Sequence, residues 1–393
     1  MYSTALPLPL SLLTQEQRQD LLKDASLLSL SLIFAAVPDP RSRHGLRYDL
    51  PFLLTCLVAA LLCNCNHSEA IGQWCQDHRL LLIRLFGPRP FLCPTGALYR
   101  WLLPQLDAAA LEQVLATWVQ ATTAAQSDDP IALDGKTVRG ARTGEQAAPH
   151  LLSFRTHHSQ ETLLQVRVSE KTNEIPVAQA LLPCLPLWGR VCTADALHTQ
   201  TAFMQVLHTQ HADCVLTVKE NQRSLYANLA TYFSDIKAHC THAETWDRRR
   251  GRVEHRSIRV STEMNVYLSE TWPYLAQVAE LTRLVTKNGQ KSHEVVYLIT
   301  SLSPTCASPE RLLDLIRGHW SIENGSHYVR DVTFAEDRSQ LRTGNAPQIM
   351  AALRNLVVTL IHRTGSSQIA ATRRSFSAHP FKAFALLLPK RDR

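Results

Sequence analysis

The 393-residue sequence has no apolar run long enough to cross a bilayer. The longest candidate, FLLTCLVAALLC from Phe52 to Cys63, has 12 residues, against the roughly 20 that a membrane helix needs. Its first residues lack the basic start and cleavage site of a secretory signal, so no membrane partner is expected. No glycine-rich phosphate loop is present, and no nucleotide cofactor is expected. His157, His158 and His198 match no zinc-hydrolase spacing, which leaves them loop or supporting roles. Cys63, Cys65, His67, Cys75 and His78 cluster in sequence but lack paired C-x-x-C spacing, and their segment reads as a helix-rich core of buried thiols. There is no repeat and no low-complexity tract.

What is present is a chain able to bury a large core: 45% of its residues are hydrophobic, enough for two or three structural units. The 41 Lys and Arg residues exceed the 34 Asp and Glu residues, a formal charge of +7 that favours polyanions such as nucleic acid. Ten cysteines lie scattered, mostly among apolar neighbours, as in a reducing compartment. A cytoplasmic location is therefore expected.

Up to about residue 120 the apolar spacing is helical, in Leu27 to Val37, Leu50 to Leu62 and Leu111 to Val119. From Pro130 short apolar strands take over, at 130–134, 151–154, 163–169, 190–195 and 213–219, with helices at about 176–183, 200–210 and 222–238 between or after the later ones. Close strands followed by alternating strand and helix predict an α/β sheet with an antiparallel edge and a parallel remainder, the order of ribonuclease-H-like folds. Residues 241–300 are β-rich and hold the arginine-dense DRRRGRVEHR. Ser308 and Pro309 open a helix that Gly318 weakens, with a new turn at His319. An amphipathic helix follows Asn345.

Asp134 and Asp195 each end an apolar strand, where ligands of α/β folds bind. As neighbours they repel each other, and a divalent cation relieves the conflict. A third carboxylate completes a two-metal site for in-line displacement, and Glu323 is the candidate. At α-helical spacing His319, Glu323, His327 and Arg330 share one face, setting the acid among phosphate-binding groups. Asp331, Glu336 and Asp337 are alternative acids. Arg248, Arg249, Arg250, Arg252 and Arg256 are expected at phosphates, and Lys136, Arg139 and Lys219 lie beside the presumed site.

The stretches ALDGKTVRGA (132–141), EKTNEIP (170–176), TADALHTQ (193–200), LTVKENQ (216–222), GRVEHR (251–256) and RGHWSIENGSHYVRDVTFAED (317–337) occur in the order found in one family. In these the chain resembles the DDE transposases of bacterial insertion sequences, in particular the ISAs-type, H-repeat-associated group. The DPRSRHGLRYDLPFLL segment resembles the helical domain that precedes the catalytic region there. The resemblance implies a helical N-terminal domain (1–125), a ribonuclease-H-like core in two parts (126–240 and 301–393), and a β-rich insertion (241–300) that contacts DNA. It implies that Asp134, Asp195 and Glu323 bind Mg2+, with Mn2+ as an alternative. The implied reaction is cleavage at element ends, followed by attack of the freed 3′-hydroxyl on target DNA, with the protein acting as a homodimer on inverted repeats. Broader relatives carry Tyr, Arg, Glu and Lys around the acid; here Ile316, His319, Glu323 and Arg330 hold those places, and Arg317 stands in for the missing arginine. Two alternatives stay open: an inactive or domesticated DNA-binding relative, and a metal-dependent nuclease on the same fold.

Overall fold

In the computed structural model the described residues are 30–42, 46–86, 93–123, 128–144, 147–169, 172–235, 237–249 and 251–388. Five strands form where the apolar runs lie: β1 (Ile131–Thr137), β2 (His150–Thr156), β3 (Thr162–Val168), β4 (Val191–Ala194) and β5 (Asp213–Val218). β2 and β3 run antiparallel, whereas β1, β4 and β5 run parallel. All four residues of β4 are buried, as expected of a parallel strand covered on both faces. The insertion supplies β6 (Thr241–Arg249), β7 (Arg252–Ser261), β8 (Gln277–Lys287) and β9 (Gln290–Thr300). These strands continue the same sheet, because β9 pairs antiparallel with β5 through Val215 and Thr300. The order is β3-β2-β1-β4-β5-β9-β8-β7-β6. Its first five strands form an α/β ribonuclease-H-like core, and the last four are the β-rich insertion.

The main helices are α1 (Leu50–Leu62), α2 (Ala108–Thr122), α3 (Glu174–Leu181), α4 (Thr201–Thr209), α5 (Arg223–Ser234), α6 (Pro309–Ile322), α7 (Ala346–His362) and α8 (Ile369–Ala378). Local capping starts several of them. The Asp49 and Asp107 carboxylates accept the Phe52 and Ala110 N–H groups at 3.2 and 3.0 Å, and the Ser308 hydroxyl accepts that of Arg311. α6 runs unbroken through Gly318, so the expected break is absent: one glycine costs a helix only about 1 kcal/mol. No described helix is long and apolar enough to cross a membrane.

The chain divides into two compact units, each considered by itself. One comprises Met1–Ala125, Gly135–Asn173 and Glu323–Arg393; the other comprises Gln126–Asp134 and Glu174–Ile322. In the first unit α7 is the central element. It was expected to be amphipathic, but its residues from Ala346 to Ile361 are buried on every side. Several of its polar side chains bond to other elements. Glu112 on α2 accepts from Gln165 on β3 at 2.7 Å and from Gln348 on α7 at 2.8 Å, and Asn355 donates to Gln165 at 2.7 Å. Burial pushes the Glu112 carboxyl up to about 7, against the pull of both amides. Helix α8 joins α1 through Arg373, which donates to the Leu61 carbonyl at 2.9 and 2.7 Å.

A buried charge cluster anchors this unit. Glu336, wholly inaccessible, accepts from Arg330 at 2.7 Å and from Arg354 at 2.9 Å. Burial alone would raise the Glu336 carboxyl, but the two guanidiniums outweigh it and hold it down to about 2. Beside the cluster, the Arg139–Ala141 turn packs so tightly that a Cβ on Gly140 would lie 2.4 Å from the Asp337 carbonyl oxygen.

Removing the acid strands two buried guanidiniums, so Glu336→Gln is expected to cost about 3–5 kcal/mol in urea unfolding. A depressed carboxylate pKa stabilises the fold above the unfolded value and ceases to do so as pH falls through the folded one. The wild type should therefore lose this contribution between about pH 4.5 and about pH 2, and the variant should show a shallower loss over that window.

Candidate active site

In the second unit the sheet register sets the geometry. Ile131, Ala132 and Leu133 of β1 face Cys192, Thr193 and Ala194 of β4. Asp134 and Asp195 come next, so the two acids follow paired positions on parallel strands about 4.8 Å apart; β4 ends before Asp195, but β1 runs on to Thr137, so Asp134 does not end its strand as expected. Asp134 is half-buried and Asp195 is exposed. An Asp195 oxygen accepts the Leu197 N–H at 3.1 Å and so caps the short turn Ala196–His198. That turn is clamped from the loop after β5. Asn221 donates to the Ala196 carbonyl at 2.6 Å, Gln222 to that of Thr199 at 2.8 Å, and the Thr199 hydroxyl to that of Thr217 at 2.5 Å. The motifs TADALHTQ and LTVKENQ, far apart in sequence, thus hold one turn. Their bonding role was not read from sequence, although the polar residues Asn221 and Gln222 directly after an apolar strand were its only signal.

His319, on α6, places its Nδ1 3.1 Å from the Thr193 hydroxyl. Burial pushes its imidazole down to about 4, although Asp195 pulls the other way. His198 lies buried in the turn after Asp195, with Nε2 3.4 Å from Glu174. Lys219, directly after β5, is exposed.

On the insertion, the expected phosphate-binding arginines have carboxylate partners. Arg256 lies 2.6 Å from both Asp247 and Glu254, Arg252 is 2.9 Å from Glu254, and Arg317 is 3.1 Å from Asp247. Arg248 is exposed, and beside it Trp246, also exposed, stacks on His255 with ring centroids 3.9 Å apart. Arg250 and the Arg249 side chain lie outside the described residues.

In the first unit, Glu323 begins a π-helical turn, Glu323–His327, and a second follows at Val329–Thr333. The Glu323 side chain lies outside the described residues. Wider π turns break the α-helical spacing on which a shared face for Glu323, His327 and Arg330 was expected. Arg330 turns inward onto Glu336 instead of towards solvent. Lys136 meets Asp331 at 2.7 Å. Burial, together with Lys136, Arg330 and Arg155, pushes the His327 imidazole down to about 3. Arg155 is itself buried, and none of its guanidinium nitrogens has a hydrogen-bond partner among the described residues; burial lowers it to about 9. Arg139 is exposed. His319 and His327 are therefore neutral at pH 7, contrary to the expectation that they supply positive charge.

Among the described residues no three His, Cys, Asp or Glu side chains form a ready metal cluster. What the second unit does offer is a pair of hard carboxylates on neighbouring chain segments, Asp134 within β1 and Asp195 just past β4, the donor type that Mg2+ prefers.

The neutral histidines can be checked by NMR. The His319 and His327 ring resonances should stay at their neutral positions from pH 8 to pH 6 and move only near pH 4 and pH 3. Midpoints near the ordinary value of about 6.5 would show both imidazoles to be solvated.

Comparison with known proteins bears on the whole chain. Residues 32–119 match the domain described as DDE_Tnp_1-associated, and residues 125–360, more than half of the chain, match the transposase DDE domain. YncI of Escherichia coli O157:H7 is 26% identical over 86% of this chain and 88% of its own length. The H repeat-associated protein YhhI of Escherichia coli strain K12 is 26% identical over 83% of this chain and 88% of its own. A solved piggyBac transposase synaptic complex with hairpin DNA is similar at a TM-score of 0.44 and 10% identity, covering 96% of this chain and 78% of that one, too distant to argue from. The two matched segments join near residue 120, where the helical pattern gives way to strands, and the chain belongs to the transposase DDE domain family.

Proposed function

We propose that this protein is a DNA transposase that cleaves phosphodiester bonds at the ends of an insertion sequence and joins the freed 3′-hydroxyl to target DNA. The observation that carries this reading is the β1–β4 register, in which Asp134, midway along β1, and Asp195, just past the end of β4, each follow the paired residues Leu133 and Ala194. Two such acids fit a Mg2+ or Mn2+ ion through hard oxygen donors, with Glu323 as the third ligand. A bound divalent ion there would supply charge neutralisation and polarisation for in-line displacement at phosphorus.

The protein's own groups have separate tasks. The hydrogen bond to Leu197 and the Asn221 and Gln222 clamps orient Asp195. Exposed Lys219 and Arg139 lie next to strand ends and contact DNA phosphates. Arg252 and Arg256 of the insertion, with Arg317 on α6, shape that surface while carboxylates hold them in place, and exposed Arg248 reaches DNA. In the first step a water oxygen bonds to phosphorus as the strand's 3′-oxygen leaves and takes up a proton. In the second, that 3′-hydroxyl attacks a target phosphorus and a target 3′-oxygen leaves. One phosphodiester bond forms for each one broken in the transfer, so no nucleotide is consumed. The divisions 1–125, 126–240, 241–300 and 301–393 correspond to the helical domain, first core part, insertion and second core part. The protein acts in the cytoplasm as a homodimer that brings two element ends together.

The test is cleavage of DNA carrying the flanking ends of the coding locus, with and without Mg2+. Asp134→Asn, Asp195→Asn and Glu323→Gln should each lower the rate on the order of 10³-fold or more while DNA binding persists. Any variant that still cuts at the wild-type rate removes its residue from the site. Tight end binding without cleavage by the wild type would instead identify a DNA-binding relative that has lost the reaction.

A further inference from the structure

The first unit contains a polar cavity that the reaction described above does not use. It has a volume of about 260 Å3 and is lined by the loop residues Ala141, Ala147 and Pro149, by Arg167 on β3, by Arg342, and by the start of α7. Strand alternation explains why Arg167 is there. It lies on the same face of β3 as Leu163 and Gln165, the face bonded to α2 and α7 through Gln120, Glu112 and Asn355. Two residues beyond Gln165, the strand passes the N-terminal end of α7, where Pro347 and Gln348 form the next wall. Arg342 comes from the segment leading into α7 and is tied down by its Nε, which donates to the Ser339 carbonyl at 3.3 Å.

Charge sets this cavity apart from the insertion. Arg252, Arg256 and Arg317 each have a carboxylate within 3.1 Å. Among the described residues Arg167 and Arg342 have none, and both are exposed. Among the described residues no Asp or Glu lines the cavity, whose neutral walls include a glycine, two prolines and two amides. Two guanidiniums with open donor forks facing 260 Å3 of polar space match a tetrahedral, doubly accepting oxyanion. The volume exceeds one phosphate group, which suits a chain that enters and leaves rather than a sealed anion.

We infer that this cavity is a DNA-backbone phosphate site, with Arg167 and Arg342 as its two cationic contacts. The inference rests on the DNA transposase reading and extends it to residues outside the acidic centre. The DNA source is favoured by position: Ala141, which lines the cavity, lies only a few residues past the end of β1, the strand that carries Asp134. A phosphate held here fixes the path of the backbone without reading sequence.

The experiment measures binding of the full chain to a DNA fragment carrying the element ends, and to an unrelated duplex, across a series of salt concentrations. The wild type is compared with Arg167→Ala, Arg342→Ala and the double variant, with thermal melting to verify folding. Each lost phosphate contact should lower the slope of log affinity against log salt by about 0.9. The double variant should therefore lose about 1.8 in slope, and affinity should fall equally on both duplexes. Arg→Lys replacements at both sites should restore most of the slope if charge is what matters. A slope unchanged in a folded double variant overturns the inference. So does an affinity loss confined to the element ends, which would mean base readout. Tighter binding of inorganic phosphate or a nucleoside monophosphate than of duplex, abolished in the double variant, also overturns it in favour of a small-anion site. Failure of the transposase reading is separable, because it would appear as absent metal-dependent cleavage in a wild type whose salt slope could still be measured.

Discussion

The parallel pairing of β1 with β4 is the constraint on which the rest depends. Backbone hydrogen bonds between strands about 4.8 Å apart force Asp134 and Asp195 into proximity, whatever their carboxylates would prefer. Two like charges about 4 Å apart repel by about 1 kcal/mol in water and several-fold more once water is displaced. The register is held by the sheet, whose interior strand β4 is buried throughout and cannot slip without exposing its apolar residues. Asp195 is then fixed in direction by its own cap and by the Asn221 and Gln222 clamps. The direction of Asp195 is thus set by the fold itself.

The excess of basic residues over acidic ones gives little guide to where that positive charge is available. Much of it is used internally. Glu336 holds Arg330 and Arg354, Asp331 holds Lys136, and Asp247 and Glu254 hold the arginines of the insertion. The arginine-dense DRRRGRVEHR is thus partly a structural lattice across β6, β7 and β8, with Arg283 joining Glu254 at 2.5 Å. A bare count of arginines in a β-rich segment overstates its capacity for phosphate, because strand pairing brings alternating acids within reach of them.

Much of the fold was legible because its signals are local. The five core strands lie within a few residues of their apolar runs, and α3, α4 and α5 form at 174–181, 201–209 and 223–234, close to the expected positions. Asp134 and Asp195 could be singled out because a charged residue directly after an apolar run stands out against its neighbours, although β1 itself runs past Asp134 to Thr137. What failed to show was tertiary. α7 looked amphipathic because Gln348, Arg354, Asn355 and Thr359 are polar, yet every one is buried and bonded or paired to partners on other elements. Nothing in ENGSHYVRDVT announces two π turns, since their backbone costs and compensations come from packing. That single irregularity moved Arg330 from an expected DNA contact to the interior.

The histidines show how burial changes a residue's chemical role. In sequence, His319 and His327 flank the presumed acid and read as cations for phosphate. Buried His319 is held down to about 4, and His327 falls further, to about 3, because Lys136, Arg330 and Arg155 add repulsion to desolvation. A neutral imidazole donates one hydrogen bond and accepts another, as at Thr193, but it neutralises no phosphate. Positive charge for a DNA backbone must then come from groups that keep it when partly desolvated. Arginine is best suited to that, and among the described residues Arg139, Arg167, Arg248 and Arg342 are arginines left exposed without a carboxylate partner. Two duties that the sequence merges are therefore separate: neutral His319 bonds to Thr193, the residue two before Asp195, while the positive charge left exposed is carried by arginines.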